Sequence, residues 1–290
     1  MSDGAETVSE AIRSRFAGLT RAERQLANSL LENYPVSGLG SITTVADNAR
    51  VSTPTVVRTV KKLGFKGFPE FQARLHQELE AALSDPIAKH EHWASNAPEA
   101  HILNRFADAV ISNMRQTLTQ IDPADFDAAC ALLADQKRSV HLVGGRITRA
   151  LADYFFTHMQ VIRGDVTLVA SNSNAWPHYV LNMKDGDVLV MFDIRRYEHA
   201  IFKLAEMARS RGVAIILLTD QWGSPVSKLA QHTFNMHIEV PSAWDTSVVT
   251  LFVVEAMIEA VQSVTWGTTR DRMRELESLF DASRLFKKFV

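Results

Sequence analysis

Apolar residues along this chain follow two patterns, recurring every three to four positions as far as about residue 133 and gathering into short continuous runs from residue 139 onward. The first pattern predicts helices, the second buried strands. To about Leu83 the reading is entirely helical. Thr20 caps the run RAERQLANSLLENY, whose Leu26, Leu30 and Leu31 point inward and which Pro35 ends. A further helix over 69–83 carries Phe71, Leu75 and Leu79. Between them lies TTVADNARVSTPTVVRTVKKLG, residues 43–64, which predicts two short helices joined by a tight turn. Val45, Ala46 and Ala49 line the buried face of the first, and Val56, Val57, Val60 and Leu63 that of the second. Ser52 is the expected N-cap, Pro54 sits in the first turn, and Gly64 falls where a C′ glycine stops a helix.

Residues 84–98, with two prolines and little periodicity, read as a connection, followed by helices over 99–120 and 125–133. The apolar runs SVHLV, VTLVA, DVLVMF, VAIILLT and TFNMHIEV then alternate with helices expected from Thr148, Glu198, Pro225 and Ser247. Five such strands predict an α/β domain, a doubly wound five-stranded parallel sheet, behind an all-α N-terminal helix-turn-helix domain. The expected division is 1–83 for the helix-turn-helix domain, 84–124 for the linker and connecting helix, 125–266 for the sheet domain and 267–290 for a last helix.

Composition changes this picture little. With 46% hydrophobic and 22% charged residues the 290-residue chain is an ordinary globular one, and a single cysteine, Cys130, excludes a disulfide within it. The N-terminus MSDGAETVSE has no basic and apolar leader, and the apolar stretch 248–264 is interrupted by Glu255, Glu259 and Gln262, so the expectation is a cytoplasmic protein with no membrane partner. His90-Glu91-His92 reads as a polar loop rather than a metal site, and no cofactor is expected.

Charge matters locally. The formal net charge is −2, but residues 48–69 hold Arg50, Arg58, Lys61, Lys62 and Lys66 and no Asp or Glu. Phosphates respond to such a patch within a Debye length of about 10 Å, whatever the distant charge. The outward face of the second short helix is expected to carry Thr55, Arg58, Thr59 and Lys62, with Ser52 and Thr53 at the tip that enters a major groove. Arg50 stands where such turns often place Gly, which implies a left-handed backbone costing roughly 1 kcal/mol.

In doubly wound sheets, ligands bind beyond the carboxyl ends of the strands. The loops concerned are Gly144-Gly145-Arg146-Ile147-Thr148, DIRRYEH at 193–199, TDQWGSP at 219–225, and PSAWDTS at 241–247, which contains Trp244, Asp245 and Thr246. The two glycines either cradle an anion with their N–H groups or only make the strand-to-helix turn. Arg195 and Arg196 can grip a carboxylate or phosphate, or else pair internally with Asp193. Asp245 or Thr246 either helps hold a ligand or caps the next helix, and Trp244 either faces a ligand or packs.

Residues 51–71, VSTPTVVRTVKKLGFKGFPEF, resemble the recognition helix and following Gly-Phe-x-Gly-Phe turn of the RpiR family of bacterial transcription regulators, and the resemblance extends over nearly the whole chain. It implies an N-terminal helix-turn-helix joined to a sugar isomerase (SIS) domain that binds a carbohydrate derivative. It also implies double-stranded operator DNA as partner, bound by a homodimer or homotetramer. On that resemblance Ser52, Thr53, Thr55 and Arg58 are the expected DNA contacts, with Lys61, Lys62 and Lys66 near phosphates. The SIS half departs from the family pattern. A serine in the first loop and a Ser-x-Ser-Gly-x-Ser/Thr loop after the third strand are typical, whereas this chain has Gly144 to Thr148 and Asp193 to Tyr197. The expected effector is a small anionic metabolite, phosphosugar or carboxylate. The alternative is an isomerase-type enzyme acting on sugar phosphates, for which Asp193, Asp220 and Asp245 are the available bases.

Overall fold

The computed structural model describes residues 6–95 and 101–286. They fall into two compact units, one of the described residues up to 120 with 237–246 and one of 121–236 with 247–286.

The first unit contains α1 (Val8–Arg15), α2 (Arg21–Glu32), α3 (Ile42–Asn48), α4 (Thr53–Lys62), α5 (Phe68–Leu83), α6 (Pro86–Ser95) and α7 (Ile102–Gln120). Both α1 and α2 start with a capping box: Glu10 accepts from the Thr7 N–H and Glu23 from the Thr20 N–H, each satisfying a donor that the helix itself leaves open. Val8, Ile12, Leu26, Val45, Val56, Val60, Phe71 and Leu75 form one core, and burying each such side chain contributes about 1.5–3 kcal/mol. Between α3 and α4 the chain turns through Arg50 at φ 52°, the left-handed conformation expected there, with the Val51 N–H returning to the Ala46 carbonyl at 2.9 Å. Gly64, at φ 102°, ends α4. The stretch read as a connection contains α6, whose N-terminus is held by Asp85 accepting from the N–H groups of Ile87 and Ala88.

The second unit consists of α8 (Pro123–Ala134), β1 (Val140–Gly144), α9 (Arg149–Ile162), β2 (Val166–Leu168), α10 (Trp176–Asn182), β3 (Val188–Phe192), α11 (His199–Ser210), β4 (Ala214–Asp220), β5 (His232–Met236), α12 (Val248–Val264) and α13 (Trp266–Ser283). The sheet is wholly parallel in the order β2-β1-β3-β4-β5. Val143, Leu189, Met191, Ile215 and Leu217 pack on Trp176, Val180, Ile201 and Leu204 of α10 and α11, while α8, α9 and α12 pack together. Strands buried on both faces explain why the apolar runs are continuous rather than alternating. Arg163, 1% exposed, binds the carbonyls of Leu133, Asp135, Arg138 and Gly164, so a buried guanidinium ties the end of α8 to that of α9.

Three expectations need correction. The helix expected from Pro225 is a four-residue 3-10 turn, Pro225–Lys228. After β2 an unforeseen helix, α10, is present. The run TFNMHIEV leaves the sheet at Met236, because the next backbone groups find partners elsewhere: the His237 N–H donates to Thr117 Oγ1 at 2.9 Å and the Glu239 carbonyl accepts from Asn113.

Candidate functional site

Helix α4 presents its N-terminal tip outward. Ser52 occupies the cap position, but its Oγ lies 2.9 Å from Thr55 Oγ1 rather than bonding a backbone N–H. Ser52, Arg58, Lys61 and Lys66 are exposed and Thr53 is half-buried. Thr55 and Thr59 are not on this surface. They are 5% and 0% exposed, Thr59 donating to the Thr55 carbonyl at 2.8 Å, so both belong to the inner stripe with Val56 and Val60. Thr55 is therefore corrected from a DNA contact to a support: its hydroxyl steadies Ser52, and Arg58 Nη2 lies 3.4 Å from it. Val57, expected inside, is half-buried. Lys62 is turned to Glu23 at 2.8 Å, which leaves Arg58 and Lys61, three residues apart, as the paired cations of the outer face.

In the second unit the strand order reverses between β1 and β3, where such sheets open a crevice. The loops following these two strands meet there. Gly144 lies so close to the α9 turn that a Cβ would come within 2.5 Å of the Thr148 carbonyl oxygen. Thr148 Oγ1 accepts from the Gly145 N–H at 2.9 Å and donates to the Phe192 carbonyl at 2.9 Å, so this hydroxyl stitches the first loop to β3. The Arg146 N–H donates to Glu198 Oε1 at 2.9 Å.

The β3 loop is organised from beneath by Asp220. Its carboxylate accepts from the Arg195 N–H and the Tyr197 hydroxyl, each at 2.7 Å, and from the N–H groups of Trp222 and Gly223. Arg195 and Arg196 are both left-handed, at φ 51° and 48°. The Arg195 guanidinium lies 4.2 Å from the centre of the Trp222 ring, a cation–π contact, and Arg196 is exposed. Asp193 is buried, bonded to the Ser224 hydroxyl and 3.4 Å from the Glu198 N–H. Burial, opposed by these donors and aided by the charges of Asp220 and Glu198, pushes its carboxyl up to about 6. Burial likewise raises Asp220 above the usual carboxylate range in spite of its donors.

The model of the helix-turn-helix domain of the rpiR family matches residues 6–82, and that of the SIS domain matches 132–260. The chain belongs to the RpiR family. The transcriptional regulator HexR of Pseudomonas aeruginosa is 26% identical over 243 residues, covering 82% of this chain and 80% of HexR. HexR of Escherichia coli is 24% identical, covering 97% and 96%. The sugar isomerase domain of an RpiR transcription factor from Sphaerobacter thermophilus superposes with a TM-score of 0.57 at 20% identity, over 61% of this chain and 97% of that one. The Vibrio vulnificus NanR protein, complexed with ManNAc-6P, has a TM-score of 0.57 at 18% identity, over 97% and 100%. These two superpositions are similarities of fold.

This RpiR-family chain holds the remaining expected effector residues in its first unit. Asp245 is ion-paired with Lys89, and Thr246 is buried with its N–H on the Ile238 carbonyl at 2.9 Å. Neither caps α12, whose cap residue is Ser247. Trp244 is 57% exposed. Sequence reasoning placed Glu198, Tyr197, Trp222 and Ser224 within the candidate loops but gave none of them a role in the site. The only sequence signal for them was their position just beyond β3 and β4. No group of three or more metal-ligating side chains is present among the described residues, and no single described helix is long and apolar enough to cross a membrane.

Proposed function

We propose that this RpiR-family protein is a cytoplasmic, homo-oligomeric transcription regulator that binds operator DNA through α4, its affinity set by a small anionic metabolite at the β1/β3 crevice. The observation that carries the DNA half is the exposure of Ser52 at the N-terminal tip of α4 and of Arg58 and Lys61 along it, in a segment, residues 48–69, that holds no acidic residue. Arg58 is the base-reading candidate and Lys61 and Lys66 the phosphate contacts. Exposed apolar groups on and around α13, among them Val264, Trp266 and Leu279, suit association with a second copy, and a two-fold dimer reads half-sites about one helical turn apart or a multiple of it.

The effector half rests on the meeting of two loops at the crevice and on Arg146, Arg195 and Arg196 around it. NanR, bound to ManNAc-6P, shares the fold. Phosphosugar and carboxylate both suit guanidinium groups. An isomerase needs an available base, whereas Asp220 is fully buried under four donors, Asp193 is engaged with Ser224, Asp245 is ion-paired with Lys89 and Glu198 accepts from the Arg146 N–H. The test is the double substitution Arg195→Ala with Arg196→Ala, assayed for operator binding with and without candidate metabolites. Operator binding is expected to persist while the metabolite response disappears. A response that survives places the effector elsewhere.

A further inference from the structure

At a crevice between two strand-end loops, backbone N–H groups aimed inward are the natural donors to an anion. Here the N–H of one residue in each loop already has a carboxylate on it. Asp220 holds the Arg195 N–H and Glu198 holds the Arg146 N–H. The fit at Glu198 is close, since a Cβ on Gly145 would stand 2.4 Å from its Oε1.

The two carboxylates differ in how far they can leave. Asp220 is 0% exposed, and its departure would strand four donors inside the protein. It is a fixed part of the loop. Glu198 stands at the exposed start of α11 on a side chain with three rotatable bonds, and rotating it outward returns it to water.

We infer that Glu198 is a tethered counter-anion that competes with the effector for the first-loop backbone, and so determines which anions this crevice admits. The inference rests on the effector reading above. A tethered carboxylate acts at an effective concentration of about millimolar or more. A small anion offering only its charge must displace it and also approach Asp193 and Asp220, so inorganic phosphate is disfavoured. An effector succeeds by adding hydroxyl or other polar contacts that Glu198 cannot supply. If Glu198 covers the donor nine-tenths of the time, apparent anion affinity is reduced about tenfold.

The experiment is calorimetric titration of inorganic phosphate at constant ionic strength into the full-length wild type, Glu198→Ala and Glu198→Gln, with the melting temperature of each as a folding control. Glu198→Ala is expected to bind phosphate at least about tenfold more tightly than wild type. Glu198→Gln, which keeps an acceptor but loses the charge, is expected between the two. Equal phosphate affinity in wild type and both variants would overturn the gate while leaving an anion site in place. No phosphate binding by folded Glu198→Ala would also overturn it, and the metabolite response of operator binding, measured separately, then decides whether the effector reading falls with it.

Discussion

Glu10 of α1 and His237, the residue following β5, share a hydrogen bond of 2.6 Å although 227 positions apart, with both side chains nearly buried. Glu10 is thereby used twice. One oxygen closes the capping box on Thr7 and the other meets the imidazole, so a local helix signal also anchors a distant strand end. Burial raises the Glu10 carboxyl, but the hydrogen bond and charge of His237, with the Thr7 donors, outweigh it and leave the group below its ordinary value of 4.5. A depressed folded value means that the stabilisation is complete above the ordinary value and is lost as pH falls through the folded one. His237→Ala is expected to cost about 1–3 kcal/mol at neutral pH, because Glu10 Oε1 loses its buried partner while Oε2 keeps the Thr7 N–H. Glu10→Gln should flatten the acid limb of a plot of denaturation midpoint against pH, and an unchanged limb would remove Glu10 from this role.

Arg50 holds a left-handed turn with an ordinary side chain. Arg50→Gly should therefore raise stability by up to about 0.5 kcal/mol in urea denaturation, the relief of about 1 kcal/mol at the turn being largely offset by glycine's greater freedom in the unfolded chain. A lower midpoint would mean that the arginine side chain contributes more than its backbone costs.

Adjacent lysines on α4 should behave differently. Lys61→Ala is expected to lower the slope of log affinity against log salt by about 1, as for the loss of one phosphate contact. Lys62→Ala should change the slope less and stability more, because Glu23, 4% exposed, loses its partner. Equal slope changes would show that Lys62 leaves Glu23 to reach DNA.

Much of the architecture was legible because its signals are local and strong. Continuous apolar runs marked the parallel strands, and Thr20, Pro54 and Gly64 marked helix ends. Thr55 and Thr59 were misplaced because hydroxyl residues count as polar in a pattern, yet in a helix they bury readily by bonding the preceding turn. Their spacing with Val56 and Val60 already put them on the inner stripe, and Val57 off it. Pro225 marked a helical start but carries no information on length. The partners of His237, Asp245 and Arg146 lie 227, 156 and 52 residues away, and no periodicity encodes such pairs.

The central claim, that α4 reads specific DNA, is tested most directly by capturing genomic fragments with the purified full-length protein beside an Arg58→Ala control and sequencing both pools. The account predicts a few two-fold-related sites in the wild-type pool, lost from the control with a penalty of about 1–3 kcal/mol when measured singly. Identical pools, or no enrichment at moderate salt, would contradict it.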